Sequence, residues 1–185
     1  MNASAPIGKT NQTIATRGTK LVFRPRHSYG WAWLIAIAIL ALMTMVPAIQ
    51  MSGQAALLPV LLTIGIQGAV ALGGFVLAFW FPTMRYELGD QSLTLRYGSI
   101  LEYHISFDQI KSIRRRNLGL TLWSSIRFPG IALFTVPTSD AGDVKMCATA
   151  AMKGILLIET TTAKYGITPI DEAGFVAAIR ARIKE

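Results

Sequence analysis

The chain has 185 residues, enough for one ordinary domain, yet 52% are hydrophobic and only 15% charged, with a mean hydropathy of +0.44. These values exclude a disordered chain and suit a membrane protein better than a soluble one. The formal net charge of +8 points to nucleic acid in a soluble domain, but in a membrane protein it marks segments held in the cytoplasm.

Residues 1–28 carry Lys9, Arg17, Lys20, Arg24 and Arg26 and no acidic residue. They read as a flexible basic tail, partly ordered near LVFRPRH. A transmembrane hairpin is expected over residues 29–84. The run from Trp31 to Met51 is apolar throughout and, at ~1.5 Å per residue, crosses a ~30 Å hydrocarbon core. A cleaved signal peptide is the weaker reading, because this core exceeds the ~7–15 residues of such a segment and a second span follows. That second run, Ala55 to Phe81, also lacks any ionisable side chain. The short link around QMSGQ makes the pair antiparallel, so both basic flanks share one side, the cytoplasm by the positive-inside rule. Trp31, Trp33 and Trp80 suit the interface. Gly65, Ala69 and Gly73 recur every four residues and leave a narrow groove for a neighbouring helix, with Gln67 near mid-membrane wanting a hydrogen-bond partner. That neighbour is either the chain's own first helix or another subunit. Neither span carries an acid, His or basic residue, which argues against an ion pathway.

From Met84 the pattern changes to alternation. Leu93, Leu95 and Tyr97 share one face after a turn at Gly89 and Asp90. Leu101, Tyr103, Ile105 and Phe107 repeat the pattern inward, with Glu102, His104 and Ser106 outward. DQIKSIRRR continues as a strand on Ile110 and Ile113, and SIRFPGIALFTVP, KMCATA, GILLIET and KYGITP follow, for about seven short strands in all. One amphipathic helix, over about residues 169–184, closes the chain. Thr168 is its expected N-cap, Pro169 its first residue and Asp171 its capping-box acid; Phe175, Val176, Ile179 and Ile183 form its apolar stripe.

YELGDQSLTLRYGSILEYHISFDQIKSIRR, and then MKGILLIETTTAKYGITPIDEAGFVAAIR, together resemble a bacterial pleckstrin-homology-like (PH-like) domain. The resemblance rests on Asp108, Ile110 and Ile113 and on the ending Ile167, Thr168, Pro169, Asp171 and Phe175, and it covers residues 85–185. It implies an α+β membrane protein in which the hairpin leads into a PH-like β-barrel or curled antiparallel sheet capped by a C-terminal helix. It implies no enzymatic activity, and nothing in the chain resembles a dedicated inositol-phosphate pocket.

Catalysis needs convergent nucleophiles, acids, bases or metal ligands. His27 and His104 lie far apart with no evident carboxylate partner, and no phosphate loop, HExxH or GxSxG occurs. The single cysteine, Cys147, excludes an internal disulfide and a cysteine-based metal site; it reads as a small, half-buried apolar residue. No cofactor and no metal are expected.

Arg114, Arg115 and Arg116 end a strand, and alternation sends Arg115 to the face opposite the other two. They read as a solvated hairpin end, a contact for anionic headgroups, or a contact for an acidic protein. Nucleic acid is disfavoured, because aromatic side chains do not interleave with the basic ones. Trp123, Phe128, Ile131 and Phe134, in the irregular stretch LGLTLWSSIRFPGIALF, either fill the core or form an apolar patch that meets the bilayer or a partner; Trp123, Arg127 and Phe128 are candidate contacts for lipid or a partner. The expected protein is a bacterial inner-membrane chain with both termini cytoplasmic. Its PH-like domain would serve a membrane-protein partner or a homo-oligomer, with an anionic-lipid sensor as the alternative.

Overall fold

The computed structural model describes residues 20–50, 57–119 and 126–183. Two apolar helices, α1 (Gly30–Gln50) and α2 (Leu57–Trp80), occupy the expected places. Each is long and apolar enough to cross a membrane, and only 22% and 17% of their most apolar windows are buried. A core helix of a soluble fold would be covered. Their mutual seam is built from small residues: Ala38, Ala41 and Ala71 are buried together, and Gly74 lies against the α1 backbone at Leu34 and Ala38. Gly65, Ala69 and Gly73 are not in that seam, since all three are exposed and open space surrounds the Cα of Gly65 and Gly73. Packing of this stripe on α1 is therefore not what forms. Gly74 and Ala71 sit on the facing side of α2, and the four-residue repeat is rotated away.

The helices are inserted between two paired strands. Before α1, Leu21–Phe23 forms β1; after α2, a single 3-10 turn at Phe81–Thr83 leads into β2 (Arg85–Leu88). The two strands run antiparallel, Leu21 opposite Leu88 and Phe23 opposite Tyr86. Order in the basic segment thus extends to a full strand at residues 21–23, because Leu21 and Phe23 pack on the main core; residues 1–19 lie outside the described residues. β3 (Ser92–Tyr97) and β4 (Leu101–Ser106) complete a four-stranded sheet of order β1-β2-β3-β4. Leu93, Leu95 and Tyr97 are buried as the alternation requires, and so are Leu101, Ile105 and Phe107.

At Phe107–Gln109 a 3-10 turn redirects the chain. β5 (Ile110–Arg116), β6 (Arg127–Phe128), β7 (Ile131–Thr138), β8 (Gly142–Ala148), β9 (Ile155–Thr160) and β10 (Lys164–Ile167) form a second sheet of order β5-β9-β10-β8-β7-β6. All its pairings are antiparallel except β8 with β10. Two open sheets replace the expected barrel: β4 and β5 are consecutive but belong to different sheets, so the ring is not closed by hydrogen bonds. Among the described residues ten strands replace the expected seven or so, because the stretch around residues 126–138 splits at the Pro129–Gly130 turn, β2 forms before the Gly89–Asp90 turn and β1 joins from before the helices.

Between the sheets lies the core: Tyr86, Leu93, Leu95 and Ile105 meet Ile131, Leu133, Leu156, Ile158 and Ile167. Tyr86 ties the layers together, donating its hydroxyl to the Cys147 carbonyl at 2.8 Å and accepting from the Thr168 amide at 3.2 Å. Cys147 is fully buried rather than half-buried, because the two faces of β8 both carry core side chains.

The closing helix α3 runs from Glu172 to Ile183. Asp171, not Thr168, caps it: its carboxylate accepts the Gly174 amide at 2.9 Å and its carbonyl the Phe175 amide at 3.1 Å. Thr168 cannot serve, since its backbone is committed elsewhere. Its carbonyl accepts the Arg26 amide, the Ile170 amide donates to the Arg24 carbonyl, and its buried hydroxyl accepts the Thr149 amide. Residues 24–26 thereby lie against 168–170, with Pro25 opposite Pro169. Phe175 then fills the space between Tyr86 and Phe23, edge-on to Phe23 at 5.2 Å.

Two outcomes test this packing. Phe23→Ala in the full chain should cost roughly 2 kcal/mol, below the ~3–5 of a fully buried ring, and lower the thermal midpoint; an unchanged midpoint would mean that β1 contributes nothing. Burial pushes the Cys147 thiol up to about 12, so in native buffer near pH 8 it should react with a disulfide reagent at least ~100-fold more slowly than in denaturant. Rapid native reaction would contradict the core placement.

Candidate functional site

The domain is seated directly on the ends of the two helices. Tyr97 donates its hydroxyl to the Leu77 carbonyl in the last turn of α2. One residue later, Gly98 adopts φ +57 and presents bare backbone to the Trp80 ring, so a methyl group there would overlap the indole. At the start of α1, Gly30 lies against the backbone of Gly130, which itself has φ +90. Ser28 donates its hydroxyl to the Gly130 carbonyl. Two turns, β3–β4 and β6–β7, therefore meet the two helix ends. No flexible linker intervenes, since only the 3-10 turn and Met84 separate α2 from β2.

Arg114, Arg115 and Arg116 are all exposed and occupy the end of β5, an edge strand. Strand alternation divides them as expected. Ser112, two residues before Arg114, donates to the Glu159 carboxylate at 2.6 Å. That hydrogen bond, with Lys164, Arg114 and Arg116 nearby, holds the Glu159 carboxyl below its usual range. Arg115 turns to the opposite side, where its Nη1 lies 3.9 Å from Glu172 and Arg26 Nη2 lies 3.6 Å from the same oxygen. Such long, partly exposed pairs contribute little stability. Two guanidiniums share one carboxylate, so the local charge stays positive. A shallow cleft of about 540 Å³ adjoins them, lined by Arg115, Glu172, Val176 and Arg180.

Arg127 faces inward, unlike the exposed arginines of β5. It is 9% exposed, and its guanidinium donates to three carbonyls: Ala151 at 2.7 Å, Gly119 at 3.0 Å and Leu118 at 3.0 Å. Burial lowers its pKa, but a guanidinium stays charged at neutral pH. It joins the loop after β5 to the turn before β9. A neutral or shorter side chain would leave those carbonyls without a donor. Phe128 is half-buried against the main core, and Ile131 is fully buried. Trp123 lies outside the described residues. Gln67 is partly exposed on α2, between the exposed Gly65 and Ala69.

His104 does have a carboxylate neighbour. Its Nε2 is 3.0 Å from Glu102, and Nδ1 is 3.1 Å from the Thr94 hydroxyl. Residues two apart on a strand share a face, so this pair was legible in the spacing of Glu102 and His104. The Glu102 carboxylate also accepts two bonds at 2.9 Å from Arg96, directly across the ladder, which hold its pKa down. This is an exposed cross-strand network between β3 and β4. Among the described residues no group of three or more His, Cys, Asp or Glu could hold a metal ion.

The contact at the helix ends has a direct check. Gly98→Ala should cost about 1–2 kcal/mol through the strained φ and the displaced indole, lowering the thermal midpoint of the full chain by several degrees. Retention of the wild-type midpoint would mean that the Trp80 seat is loose.

Residues 84–183 match the family model described as bacterial PH domain. No curated protein and no solved structure matches the chain. The match covers more than half of the sequence and spans both sheets and α3, leaving out β1 and the two helices. The chain belongs to the bacterial PH domain family.

Proposed function

We propose that this chain is a membrane-anchored, non-enzymatic interaction module: a bacterial PH domain held in one orientation at the cytoplasmic face of the inner membrane, where it serves the assembly of a membrane-protein complex. The observation that carries the reading is the seat of the domain on both helix ends, through Tyr97–Leu77, Trp80–Gly98 and Gly30–Gly130. A sensor that samples the bilayer needs slack between anchor and domain. Here the three-residue turn at Phe81–Thr83 supplies none.

Insertion of α1 and α2 is supported by their length, their lack of charge and their uncovered apolar surface, which includes Leu61, Ile66, Leu72 and Phe79. Pairing of β1 with β2 requires residues 21–23 and 85–88 to lie on the same side of any bilayer the helices cross. The basic residues on both flanks assign that side to the cytoplasm. Gly65, Ala69 and Gly73 then form a small-residue face directed away from α1, suited to a helix of another subunit. PH domains generally work by binding rather than by chemistry, and the Glu102–His104 pair is exposed.

The test is the oligomeric state of the full chain in mild detergent. Ala69→Leu should dissociate a complex that the wild type retains, with the domain's thermal midpoint unchanged, whereas Ala71→Leu should disturb the seam with α1. A wild-type chain that emerges alone, and an Ala69→Leu variant indistinguishable from it, would overturn the assembly reading.

A further inference from the structure

β5 is the outermost strand of the second sheet: β9 pairs with one edge, and among the described residues no strand pairs with the other. An open edge leaves a row of amides and carbonyls able to bond a further strand. Edges are commonly blunted by bulges and by charge. The bulge of β5 lies at its beginning, between Ile110 and Ser112, and from Ser112 to Arg116 the register with β9 is regular. Over that regular part the edge is guarded only by Arg114, Arg115 and Arg116, whose charge is all of one sign. It repels some strands and attracts others. Beside β5 lies α3, whose Phe175 and Ile179 enter the core that Ile110 and Ile113 border. The outer side of α3, with Ala173, Ala177 and Arg180, stays exposed. The cleft of about 540 Å³ opens between that side and Arg115, and β9 contributes no described residue to it, which puts the opening on the free side of β5.

The walls of this cleft fit an extended chain. At ~3.3 Å per strand residue and ~1.5 Å per helix residue, β5 and α3 each run for about 20 Å, the length of about six residues of strand. Ala173 and Ala177 project little, so a backbone can come close to α3, while Val176 offers apolar contact. Charge then decides the occupant. Arg115 is 63% exposed and shares Glu172 with Arg26, at 3.9 and 3.6 Å. Glu172, the one acid among the described residues lining the cleft, is thus already matched by Arg26. Arg180 is exposed and forms no salt bridge among the described residues. A second copy of β5 would set arginine against arginine, and like charges opposed across a ladder are destabilising. Residues 1–19 carry Lys9 and Arg17 and no acid, so the chain's own N-terminal segment is disfavoured in the same way. An acidic segment is attracted at both walls.

We propose that the cleft between β5 and α3 binds an extended acidic segment of a membrane-protein partner, which joins the second sheet as a further strand beside β5 with its carboxylates on Arg115 and Arg180. The site rests on the interaction-module reading above and names the chemistry of the partner. It is separate from the Gly65, Ala69 and Gly73 face: that face meets a helix in the bilayer, whereas β5 takes a tail outside it. Arg26, which shares Glu172 with Arg115, lies only a few residues before α1, so one end of the cleft is within reach of a chain leaving the membrane. Main-chain bonds to the strand edge supply affinity without regard to sequence, and side-chain contacts supply the selection. The flanks of membrane spans on the cytoplasmic side are usually basic. Two arginines at the walls therefore reject most such tails and admit an acidic one.

The experiment immobilises the full chain in a mild non-ionic detergent and selects from a phage-displayed library of random peptides of about seven residues, the length of β5. The selected peptides should be enriched in Asp and Glu. The most enriched one, made synthetically, should bind Arg180→Glu about tenfold more weakly than the wild type, since the reversal replaces attraction by repulsion at an exposed pair. Arg115→Glu should weaken binding as much. If Arg115→Glu loosens the start of α3 by circular dichroism, Arg180→Glu decides alone. A strand directs alternate amides at its neighbour, so N-methylation of every second residue should abolish binding in one register and spare it in the other. Enrichment of basic or apolar peptides, or of none, overturns the acidic assignment. Equal effects of N-methylation in the two registers overturn strand addition, and undiminished binding to Arg180→Glu overturns the cleft. The oligomeric state reads the assembly role separately: a chain that assembles yet selects no acidic peptide loses this site alone, whereas a chain that binds the peptide but emerges alone, with Ala69→Leu indistinguishable from it, keeps the site and loses the α2 contact.

Discussion

The pairing of Leu21–Phe23 with Arg85–Leu88 is the constraint from which the rest of the arrangement follows. It makes the two-helix unit an insertion between neighbouring strands instead of an appendage at one end of a domain. The strands are adjacent, so the helix ends must be adjacent too, and they pack through Ala38, Ala41, Ala71 and Gly74. Because α2 runs into β2 through one 3-10 turn and the segment between β1 and α1 is bonded to residues 168–170, both helix ends are tied to the domain. Tyr97, Gly98 and Gly130 meet helix ends whose position the strand pairing has already restricted.

The same segment organises the far side of the domain. After β1 the chain crosses to residues 168–170, where Arg26 and Ile170 exchange backbone bonds with Thr168 and Arg24. That crossing delays α3 to Glu172, brings Glu172 within reach of Arg26 and Arg115, and places Phe23 edge-on to Phe175. Tyr86 completes the join, since its buried hydroxyl links β2 to β8 and to the end of β10. The open gap between β4 and β5 is thus compensated by side-chain and crossing contacts, and two sheets that share no hydrogen-bonded strand still enclose one core.

Charge on this molecule divides by burial. Arg114 and Arg116 share their face with Glu159, whose carboxylate they help keep ionised. Arg127 is opposite in character, with its charge retained inside and its donors spent on carbonyls. From the sequence it is a candidate lipid or partner contact, beside apolar residues that fit either the core or a surface patch. Its inward direction depends on the carbonyls of Leu118, Gly119 and Ala151, which come from two separate loops. Similarly, the four-residue repeat of Gly65, Ala69 and Gly73 identified a small-residue face on α2 but not which way it pointed.

What the amino-acid order determined by itself was local and periodic. The lengths of the apolar helices, the alternation of Leu93, Leu95 and Tyr97, the division of Arg115 from Arg114 and Arg116, and the family resemblance of residues 85–185 all depend on spacings of a few residues. Hydrophobic period and backbone geometry decide such features without reference to distant parts of the chain. Tertiary structure alone decided the rest: the strand formed before the helices, the open pair of sheets, the cap at Asp171, the full burial of Cys147 and the inward turn of Arg127. Each of these depends on partners tens of residues away, and a backbone group already committed to such a partner is no longer free to follow its local preference.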